Sequence, residues 1–375
     1  MDMKYYMPVK LYDCADCVAK NAKEWTSKGT RALLVTGKHS AAANGSLNDV
    51  IAALLENGKS YCIFDRVEEN PSVETVIEAA HFGYEEGADL CIGIGGGSAM
   101  DAAKAIAFLM KRKERFAKEG APAQTAEDEA HALYDAGEDP AALPVIAVPT
   151  TCGTGSEVTG VSVLTVHGKK TKQSIPHRIW PVIALIDGKY LSTASKRLIA
   201  DTSVDAFAHL AESFLSAKAD DYSRAMAVEG LKIWGGVKDV LTSDKAPDEE
   251  ERALLMRAST FAGFAIAQTG TCLPHALSYP VTYAMGMPHG AACGYFLTGF
   301  IREAGEEDRA KLLKEAGFEN MAALENFMRA VLAGYEVPRD MLQTAYDSVV
   351  SNEARLKSCR FAVDADVLAR IVFDR

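Results

Sequence analysis

The feature that most constrains the fold is a strand that runs directly into glycine and then into a helix. Residues 89–94 form a short apolar run, which continues without a break into Gly95, Gly96, Gly97 and Ser98 and then into an alanine-rich helical stretch. Glycines at such a junction let a phosphate approach the backbone, and the amino end of the helix adds partial positive charge. Because a predicted strand precedes the glycines and a predicted helix follows them, we favour a pyrophosphate-binding loop over a structural turn. The spaced G-x-G-x-x-G fingerprint is missing.

Strands and helices alternate in the same way through the first half of the chain. Short apolar runs followed by turn residues predict buried strands, and the longer amphipathic stretches between them predict helices. This alternation indicates βαβ units and a parallel sheet. The predicted strands are residues 31–36, 60–64, 89–94, 145–148, 161–166 and 182–186, after an extended segment at residues 5–10.

From about residue 190 onward the strand pattern disappears and helical patterns replace it. A chain of 375 residues suggests about two domains at roughly 150 residues each. We therefore predict an α/β dinucleotide-binding domain over residues 1–185, with a parallel sheet and flanking helices, and an all-helical domain over residues 186–375. The predicted helices of the second domain are residues 195–216, 220–241, 248–268, 306–315, 320–332, 338–356 and 364–373.

Composition indicates an acidic globular protein, with 48% hydrophobic residues, 24% charged residues and a net charge of −11. No basic domain stands out, which argues against a nucleic-acid partner. The first residues do not resemble a signal peptide, and no apolar run approaches the roughly 20 residues that span a bilayer. The eight cysteines are scattered, with Cys14 and Cys17 as one isolated pair, and we expect reduced thiols rather than disulfides. We expect a cytoplasmic protein without a membrane partner.

A second loop rich in glycine and hydroxyl groups follows the predicted strand at residues 145–148. It has the sequence PTTCGTGSE and covers residues 149–157. Ligands of doubly wound sheets bind outside the carboxyl ends of the strands. We therefore expect the hydroxyls and amides of this loop to lie at the same sheet edge as the glycine run.

The second half of the chain contains a candidate pair of metal ligands, Asp205 and His209, in a run with helical propensity. Residues four apart lie on one helix face with Cβ atoms roughly 5–6 Å apart, so a carboxylate and an imidazole can bind one cation. Alone, such a pair is an ordinary surface feature. Far downstream, however, His275 and His289 stand in an apolar stretch rich in glycine and proline that has no other evident use for histidine.

Four motifs in this order resemble those of the iron-containing (group III) alcohol dehydrogenases. The resemblance extends over nearly the whole chain, and four ordered motifs are far more specific than any one of them. It implies a dinucleotide-binding domain followed by a helical domain that holds a divalent metal in the cleft. The motifs are GGGSAMDAAK at residues 95–104, PTTCGTGSE at 149–157, DAFAH at 205–209 and PHG at 288–290.

The resemblance implies that the metal ligands are Asp205, His209, His275 and His289. Imidazole and carboxylate ligands suit Fe(II), Zn(II), Mn(II) or Co(II) and do not rank them, whereas the resemblance favours iron. Many relatives have a further histidine four residues after the ligand that matches His275, and it is sometimes assigned to proton transfer. Here that residue is Tyr279. A phenol has an unperturbed pKa near 10 and is a poor base, so Tyr279 is a candidate for relaying a proton or donating a hydrogen bond.

The cofactor contacts also follow from the resemblance. The pyrophosphate is expected on Gly95, Gly96, Gly97 and Ser98, with Asp101 and Lys104 in the helix behind them. The adenine and ribose side is expected on Thr150, Thr151 and Thr154, and the nicotinamide ribose on Lys172, with Lys170 as the alternative.

Cofactor choice depends on the end of the first core strand. NAD-preferring relatives often carry an aspartate there, which accepts hydrogen bonds from the ribose 2′-hydroxyl, and this chain has Gly37 instead. The small Gly37, together with Lys38, Ser40 and the helix amides after Gly45, can accept the charge of a 2′-phosphate. We therefore expect NADP(H) to be favoured over NAD(H).

The expected reaction is reversible hydride transfer between NAD(P)H and a small aldehyde or primary alcohol, with the metal as a Lewis acid. Aromatic residues near the ligands, such as Phe207 and Tyr279, suggest an apolar aldehyde, while an anionic short-chain aldehyde remains open. One alternative is a glycerol dehydrogenase-like or dehydroquinate synthase-like enzyme, although these lack the combined metal motifs in this form. The other is a non-catalytic sensor that binds NADP and metal. A homodimer or higher homo-oligomer is expected.

Overall fold

The protein divides into two compact units in this computed structural model, which describes residues 5–121 and 124–374. The α/β unit comprises Pro8–Thr151 and Ser156–Thr193. The helical unit comprises residues 194–374, the short segment Cys152–Gly155 and residues 5–7. In the described ranges, no helix has both the length and the apolar character needed to cross a membrane.

The α/β unit is organised around a six-stranded sheet in the order β1-β8-β5-β4-β2-β3, in which every neighbouring pair is parallel. A separate antiparallel pair joins β6 to β7. The central strands are apolar and buried along their length, as expected for a parallel sheet covered on both faces. The strands are β1 (Lys10–Asp13), β2 (Arg31–Thr36), β3 (Ser60–Phe64), β4 (Leu90–Gly95), β5 (Val145–Pro149), β6 (Val163–Val166), β7 (Thr171–Ser174) and β8 (Ile183–Ile186).

Helices cover both faces of this sheet. Alternate residues of β2 face opposite ways, so that Leu33 and Val35 join one core cluster and Leu34 joins the other. Gly93 on β4 lets the following helix approach closely, because a Cβ there would lie 3.1 Å from the Met100 Cα. The helices are α1 (Cys17–Lys20), α2 (Ala22–Trp25), α3 (Ser40–Ala43), α4 (Ser46–Glu56), α5 (Val73–Glu85), α6 (Gly97–Glu119) and α7 (Ala126–Tyr134).

Two strands of the α/β unit differ from the prediction. The first strand is Lys10–Asp13 rather than residues 5–10, and it pairs with β8 at the edge of the sheet. The strand β7 was not predicted, because its sequence TKQS has no apolar alternation and its register comes from hydrogen bonding to β6. In both cases the position of the strand follows from pairing with a neighbouring strand, and not from the β propensity of its own residues.

The helical unit is built around α8, which is buried almost continuously from Ile199 to Phe214 and packs against α9, α10 and α12. A helix that is buried on all sides belongs to the centre of a domain. The observed parallel sheet with flanking helices, followed by this helical region, confirms the predicted fold class. The helices are α8 (Lys196–Phe214), α9 (Asp221–Val237), α10 (Glu249–Thr269), α11 (Leu273–Met285), α12 (His289–Glu303), α13 (Glu306–Glu315), α14 (Met321–Val331), α15 (Arg339–Val350), α16 (Glu353–Leu356) and α17 (Ala365–Phe373).

Sequence patterns missed α11 and α12, the two helices that carry His275 and His289. Prolines occur near the start of each helix and at Pro280 inside α11, and α12 contains several glycines. Both residue types lower helix propensity. The same glycines permit close packing, because a Cβ at Gly290 would collide with the Asp201 carbonyl on α8.

Along the chain, the α/β unit ends at residue 193 and the helical unit begins at residue 194, and a short inner segment groups with the helical unit. Residues 187–193 stay with the α/β unit, where buried Tyr190 donates a hydrogen bond to Asp49 at 2.9 Å. The segment Cys152–Gly155 packs within the helical unit through Gly155, whose φ of +58° and close approach to Gly263 require glycine.

Candidate metal centre and cofactor loops

Four side chains of the helical unit bring potential metal ligands together. Asp205 lies on α8, His275 on α11, and His289 and Cys293 on the first turns of α12. One ligand atom from each lies within 4.8 Å of all the others. Three of the four predicted metal ligands are therefore clustered, and Cys293 adds a thiol that the sequence did not single out.

Two atoms of this cluster have no hydrogen-bond partner among the described residues. They are Asp205 Oδ1 and His275 Nε2, which are both buried and lie 3.4 Å apart, an ion-pair distance only if the imidazole is protonated. Unsatisfied buried polar atoms are costly in a folded protein, and a bound cation would satisfy both of these. The donor set therefore fits a divalent metal.

The charge state of Asp205 suits a metal ligand. Burial acts to raise its pKa, but the imidazoles of His209, His275 and His289 outweigh burial and hold the pKa well below its usual range. The carboxylate is consequently ionised at neutral pH. His209 is buried as well, and burial lowers its pKa, so it is a neutral imidazole, the form that binds metals.

Glu212 orients His275 from the side opposite the cluster. Its Oε1 lies 2.5 Å from His275 Nδ1, and its other oxygen accepts a hydrogen bond from the Cys272 backbone N–H. Glu212 is fully buried. A carboxylate that binds Nδ1–H leaves Nε2 available for a metal, which is the usual arrangement around metal-binding histidines. Sequence reasoning missed Glu212, although its position seven residues after Asp205 places it on the same helix face.

His209 lies beside the cluster rather than among its four members. Its ring stacks on His275 with centroids 4.3 Å apart, and its Nδ1 is 3.2 Å from the Gly153 carbonyl oxygen. That hydrogen bond turns one ring nitrogen to the backbone and leaves the other for a ligand. Metal binding by His209 stays a prediction.

The surroundings of Tyr279 favour a neutral phenol. Its ring stacks on His289 with centroids 5.9 Å apart, and burial raises its pKa above the usual value near 10. A neutral phenol donates a hydrogen bond more readily than it accepts a proton. Phe207, the other aromatic residue predicted near the ligands, is fully buried and stacks on Trp234 with ring centroids 4.2 Å apart.

The two glycine-rich loops lie next to each other at the carboxyl ends of β4 and β5. The Thr150 N–H donates to the Gly95 carbonyl at 2.9 Å, and a Cβ at Gly96 would lie 3.1 Å from the Thr151 side chain. Gly95 has a φ of +152°, which favours glycine. The predicted pyrophosphate residues Gly95, Gly96, Gly97 and Ser98 thus share one edge of the sheet with Thr150 and Thr151, whereas Thr154 belongs to the segment that groups with the helical unit.

Asp101 and Lys104 lie on α6 and form hydrogen bonds with the segment at residues 156–163. The Asp101 carboxylate accepts hydrogen bonds from the Ser156 hydroxyl at 2.6 Å and from the Val163 N–H at 2.9 Å. The fully buried Lys104 ammonium donates to oxygens of Ser156 and Val161, and burial lowers its pKa. These hydrogen bonds account for the positions of both side chains without a cofactor. A contact between Asp101 and the cofactor stays a prediction.

Asn70 links two of the predicted cofactor residues. Its N–H donates to the Ser98 hydroxyl at 3.0 Å, and its side-chain oxygen accepts a hydrogen bond from the Lys172 ammonium at 2.9 Å. Asn70 has a φ of +59°, a left-handed conformation that asparagine tolerates better than most residues. Sequence reasoning missed Asn70. The Asn-Pro pair at residues 70–71 is a turn signal that could have drawn attention to it.

Most of the residues predicted to bind a 2′-phosphate lie at the protein surface. Gly37 directly follows β2, and Lys38, His39 and Ser40 after it are exposed. A Cβ at Gly37 would lie 3.2 Å from the Val67 carbonyl oxygen, so space beside it is tight. Ser40 begins α3, and Gly45, with a φ of +84°, precedes α4.

Comparison with known proteins identifies the family. The family model described as "Iron-containing alcohol dehydrogenase" matches residues 8–188, and its companion "Fe-containing alcohol dehydrogenase family, C-terminal" matches residues 199–355. A crystal structure of an iron-containing alcohol dehydrogenase from Thermotoga maritima is 34% identical, covers 98% of both chains and superposes with a TM-score of 0.85.

Curated relatives point the same way. The long-chain primary alcohol dehydrogenase AdhA of Thermoanaerobacter ethanolicus is 32% identical over 72% of this chain, and the match spans 65% of that enzyme's length. The NADPH-dependent butanol dehydrogenase of Clostridium saccharobutylicum is 27% identical over 81% of this chain and 77% of its own. The resemblance stated from the motifs is thus confirmed: the chain belongs to the iron-containing alcohol dehydrogenase family.

Proposed function

We propose that this protein is a metal-dependent, NAD(P)-linked alcohol dehydrogenase that interconverts a small aldehyde and its primary alcohol. The observation that carries the proposal is the unsatisfied pair Asp205 Oδ1 and His275 Nε2, 3.4 Å apart inside a cluster of four ligand-type side chains. Relatives of the family, named as alcohol dehydrogenases, support the reaction class. We further propose that residues 1–185 bind the dinucleotide and residues 186–375 the metal.

Asp205, His209, His275 and His289 would hold the metal, with iron favoured by the family and Zn(II), Mn(II) or Co(II) compatible with the ligands. When bound, the metal polarises the carbonyl oxygen and the nicotinamide supplies or accepts the hydride. The chain provides the geometry: Glu212 fixes the His275 ring by its 2.5 Å contact with Nδ1. Tyr279, beside His289, would donate a hydrogen bond to the substrate oxygen.

The backbone at Gly95, Gly96 and Gly97, together with Ser98, would bind the pyrophosphate, and Thr150, Thr151 and Thr154 the adenosine side. Lys172 would reach the nicotinamide ribose. Its ammonium already has a fixed direction, because it donates to Asn70 at 2.9 Å. These assignments extend the family resemblance to individual residues.

We propose NADP(H) as the preferred cofactor, because Gly37 lacks the carboxylate that would repel a 2′-phosphate, and Lys38 beside it is exposed. The name of the Clostridium relative, an NADPH-dependent enzyme, is compatible with this choice. Gly37→Asp should lower kcat/KM for NADPH more than for NADH. The control is Gly37→Ala, because any side chain there meets the Val67 carbonyl. Equal or higher kcat/KM with NADH in the unaltered protein would contradict the preference.

For the substrate we propose a straight-chain primary aldehyde, in keeping with the long-chain primary alcohol named for the Thermoanaerobacter relative. We also propose a homodimer or higher homo-oligomer, since β1 lies at one edge of the sheet with Lys10 exposed. Light scattering of the purified protein tests the oligomeric state directly.

The deciding experiment is NADPH oxidation by the metal-loaded protein with a panel of straight-chain aldehydes, run beside glycerol with NADP⁺ and a sugar-acid phosphate. The proposal expects turnover with the aldehydes to exceed turnover with the other substrates. Activity with glycerol alone would favour the polyol alternative. Tight NADPH and metal binding without turnover on any substrate would favour the sensor.

A further inference from the structure

We propose that Cys293 is a ligand of the metal site and that its thiolate gives the site a preference for Zn(II) over Fe(II). The inference rests on the proposed function, because it concerns the same metal centre. It goes beyond the four ligands that the resemblance implies, none of which is a cysteine.

The position of Cys293 on α12 makes it a neighbour of His289. The two residues are four apart, so they share one face of the helix. The Cys293 side chain is fully buried, and its sulfur lies 3.8 Å from each ring nitrogen of His289, of which Nε2 is the one we propose to bind the metal. Zinc bonds of about 2.3 Å to sulfur and about 2.0 Å to nitrogen, at a tetrahedral angle, place the two atoms about 3.5 Å apart. The observed separation is close to that of two ligands on one ion.

The other members of the cluster support the same interpretation. The Cys293 sulfur, the Asp205 carboxylate, and the His275 and His289 rings offer ligand atoms that are all within 4.8 Å of one another. Among them, Asp205 Oδ1 and His275 Nε2 are buried and have no hydrogen-bond partner among the described residues. A bound cation would contact both of these atoms, and the sulfur is within 4.8 Å of a ligand atom of each of the two residues.

Cys293 also has an alternative role that a test must distinguish. Its sulfur lies 3.4 Å from the Ser278 hydroxyl and 3.8 Å from each His289 ring nitrogen, so a packing thiol with weak hydrogen bonds is the alternative. A packing thiol would leave the metal preference unaffected. A coordinating thiolate would change it, because a thiolate is a softer ligand than imidazole or carboxylate and suits Zn(II).

The first test is spectroscopic. The purified protein is stripped of metal and titrated with Co(II) under anaerobic conditions. Cys293 coordination predicts an intense near-ultraviolet thiolate-to-Co(II) charge-transfer band with one Co(II) bound. The band should vanish in Cys293→Ser and Cys293→Ala, while the visible ligand-field bands and Co(II) binding persist. The control variant is Cys91→Ala, which removes a buried thiol from β4 in the other unit and should leave the band unchanged.

The second test is competition. The metal-free protein is exposed anaerobically to equal Zn(II) and Fe(II), and bound metal is measured by elemental analysis. The proposal expects mainly zinc in the unaltered protein and in Cys91→Ala, and a larger iron fraction in Cys293→Ser.

The outcomes separate this proposal from the proposed function. Stoichiometric Co(II) binding without the charge-transfer band in the unaltered protein would overturn the role of Cys293 and leave the metal-dependent function intact. A band that survives in both Cys293 variants would overturn it as well. Failure of the unaltered protein to bind Co(II), Zn(II) or Fe(II) would overturn both proposals. The spectrum of the unaltered protein decides the matter even where a variant does not fold.

Discussion

In the helical unit, the side chains expected to bind a metal include two buried atoms without a hydrogen-bond partner among the described residues. In the α/β unit, by contrast, two residues expected to bind the cofactor are each hydrogen-bonded to the same third residue. Asp205 Oδ1 and His275 Nε2 represent the first case. Ser98 and Lys172, both joined to Asn70, represent the second. A bound cation would therefore complete the proposed metal centre, whereas hydrogen bonds within the chain already hold the proposed cofactor residues in position.

This difference leads to different expectations for substitution. Removing a metal ligand should eliminate the site, because the remaining ligands cannot compensate for the missing bond. Removing one contact around the cofactor loops should weaken binding by the value of a single hydrogen bond, about 0.5–1.5 kcal/mol, or about 1.5–3 kcal/mol with a charged partner. The predictions below follow this order of effect.

The largest effect is expected for His275→Ala. It should reduce kcat/KM by at least about 10³, because a Lewis-acid metal contributes several kcal/mol to the transition state. Bound metal should fall with it, measured by elemental analysis, while circular dichroism shows a folded protein. The matched control His131→Ala changes an exposed histidine on α7 and should leave both measurements unchanged. Full turnover by metal-free His275→Ala would contradict the mechanism.

Glu212→Gln should have the next largest effect. Without the carboxylate that holds His275 Nδ1, metal affinity should fall about 10–100-fold, and activity should recover at high metal concentration. Titration with Zn(II) measures the affinity. The control Glu229→Gln alters an exposed carboxylate on α9. If Glu212→Gln lost activity that added metal could not restore, Glu212 would have a role other than orienting His275.

A smaller effect is expected in the α/β unit for Asn70→Gly, which keeps the left-handed backbone but removes the amide that accepts from Lys172. KM for NADPH should rise about tenfold, the equivalent of about 1.4 kcal/mol, with kcat changed less. Asn70→Ala should be more harmful, because alanine at this φ adds backbone strain. An unchanged KM in both variants would show that Asn70 does not position Lys172 for the cofactor.

The smallest effect is expected for Tyr279→Phe. A lost neutral hydrogen bond should lower kcat by up to about tenfold. Because burial raises the Tyr279 pKa, the phenol stays protonated through neutral pH and its contribution is lost only as the pH rises through that raised pKa. The pH profile around neutrality should therefore be the same in the variant. A lost ionisation near neutral pH in Tyr279→Phe would instead identify Tyr279 as the titrating group.

The sequence was sufficient to predict the features that depend on local residue patterns. Apolar runs predicted the buried strands β2, β3, β4, β5 and β8, and the glycine run predicted the junction of β4 with α6. The four motifs identified the family. Asp205, His209, His275 and His289 were predicted as a set of ligands. The structure clusters Asp205, His275 and His289, and the His209 ring stacks on His275.

The sequence was insufficient where a role depends on tertiary packing. The helices α11 and α12 were missed because proline and glycine lower helix propensity, and those glycines are compensated by close packing against α8. The proposed roles of Glu212, Cys293 and Asn70 rest on contacts with residues that lie 63, 4 and 28 positions away in sequence. Only the second of these separations is short enough for a helix pattern to reveal it.

The most direct test of the central claim compares the metal-free and the reloaded protein in one assay, NADPH oxidation with a straight-chain aldehyde. The account predicts negligible turnover without metal, recovery on adding one equivalent of Fe(II) or Zn(II), and no recovery in His275→Ala. Undiminished turnover by the metal-free protein would contradict it.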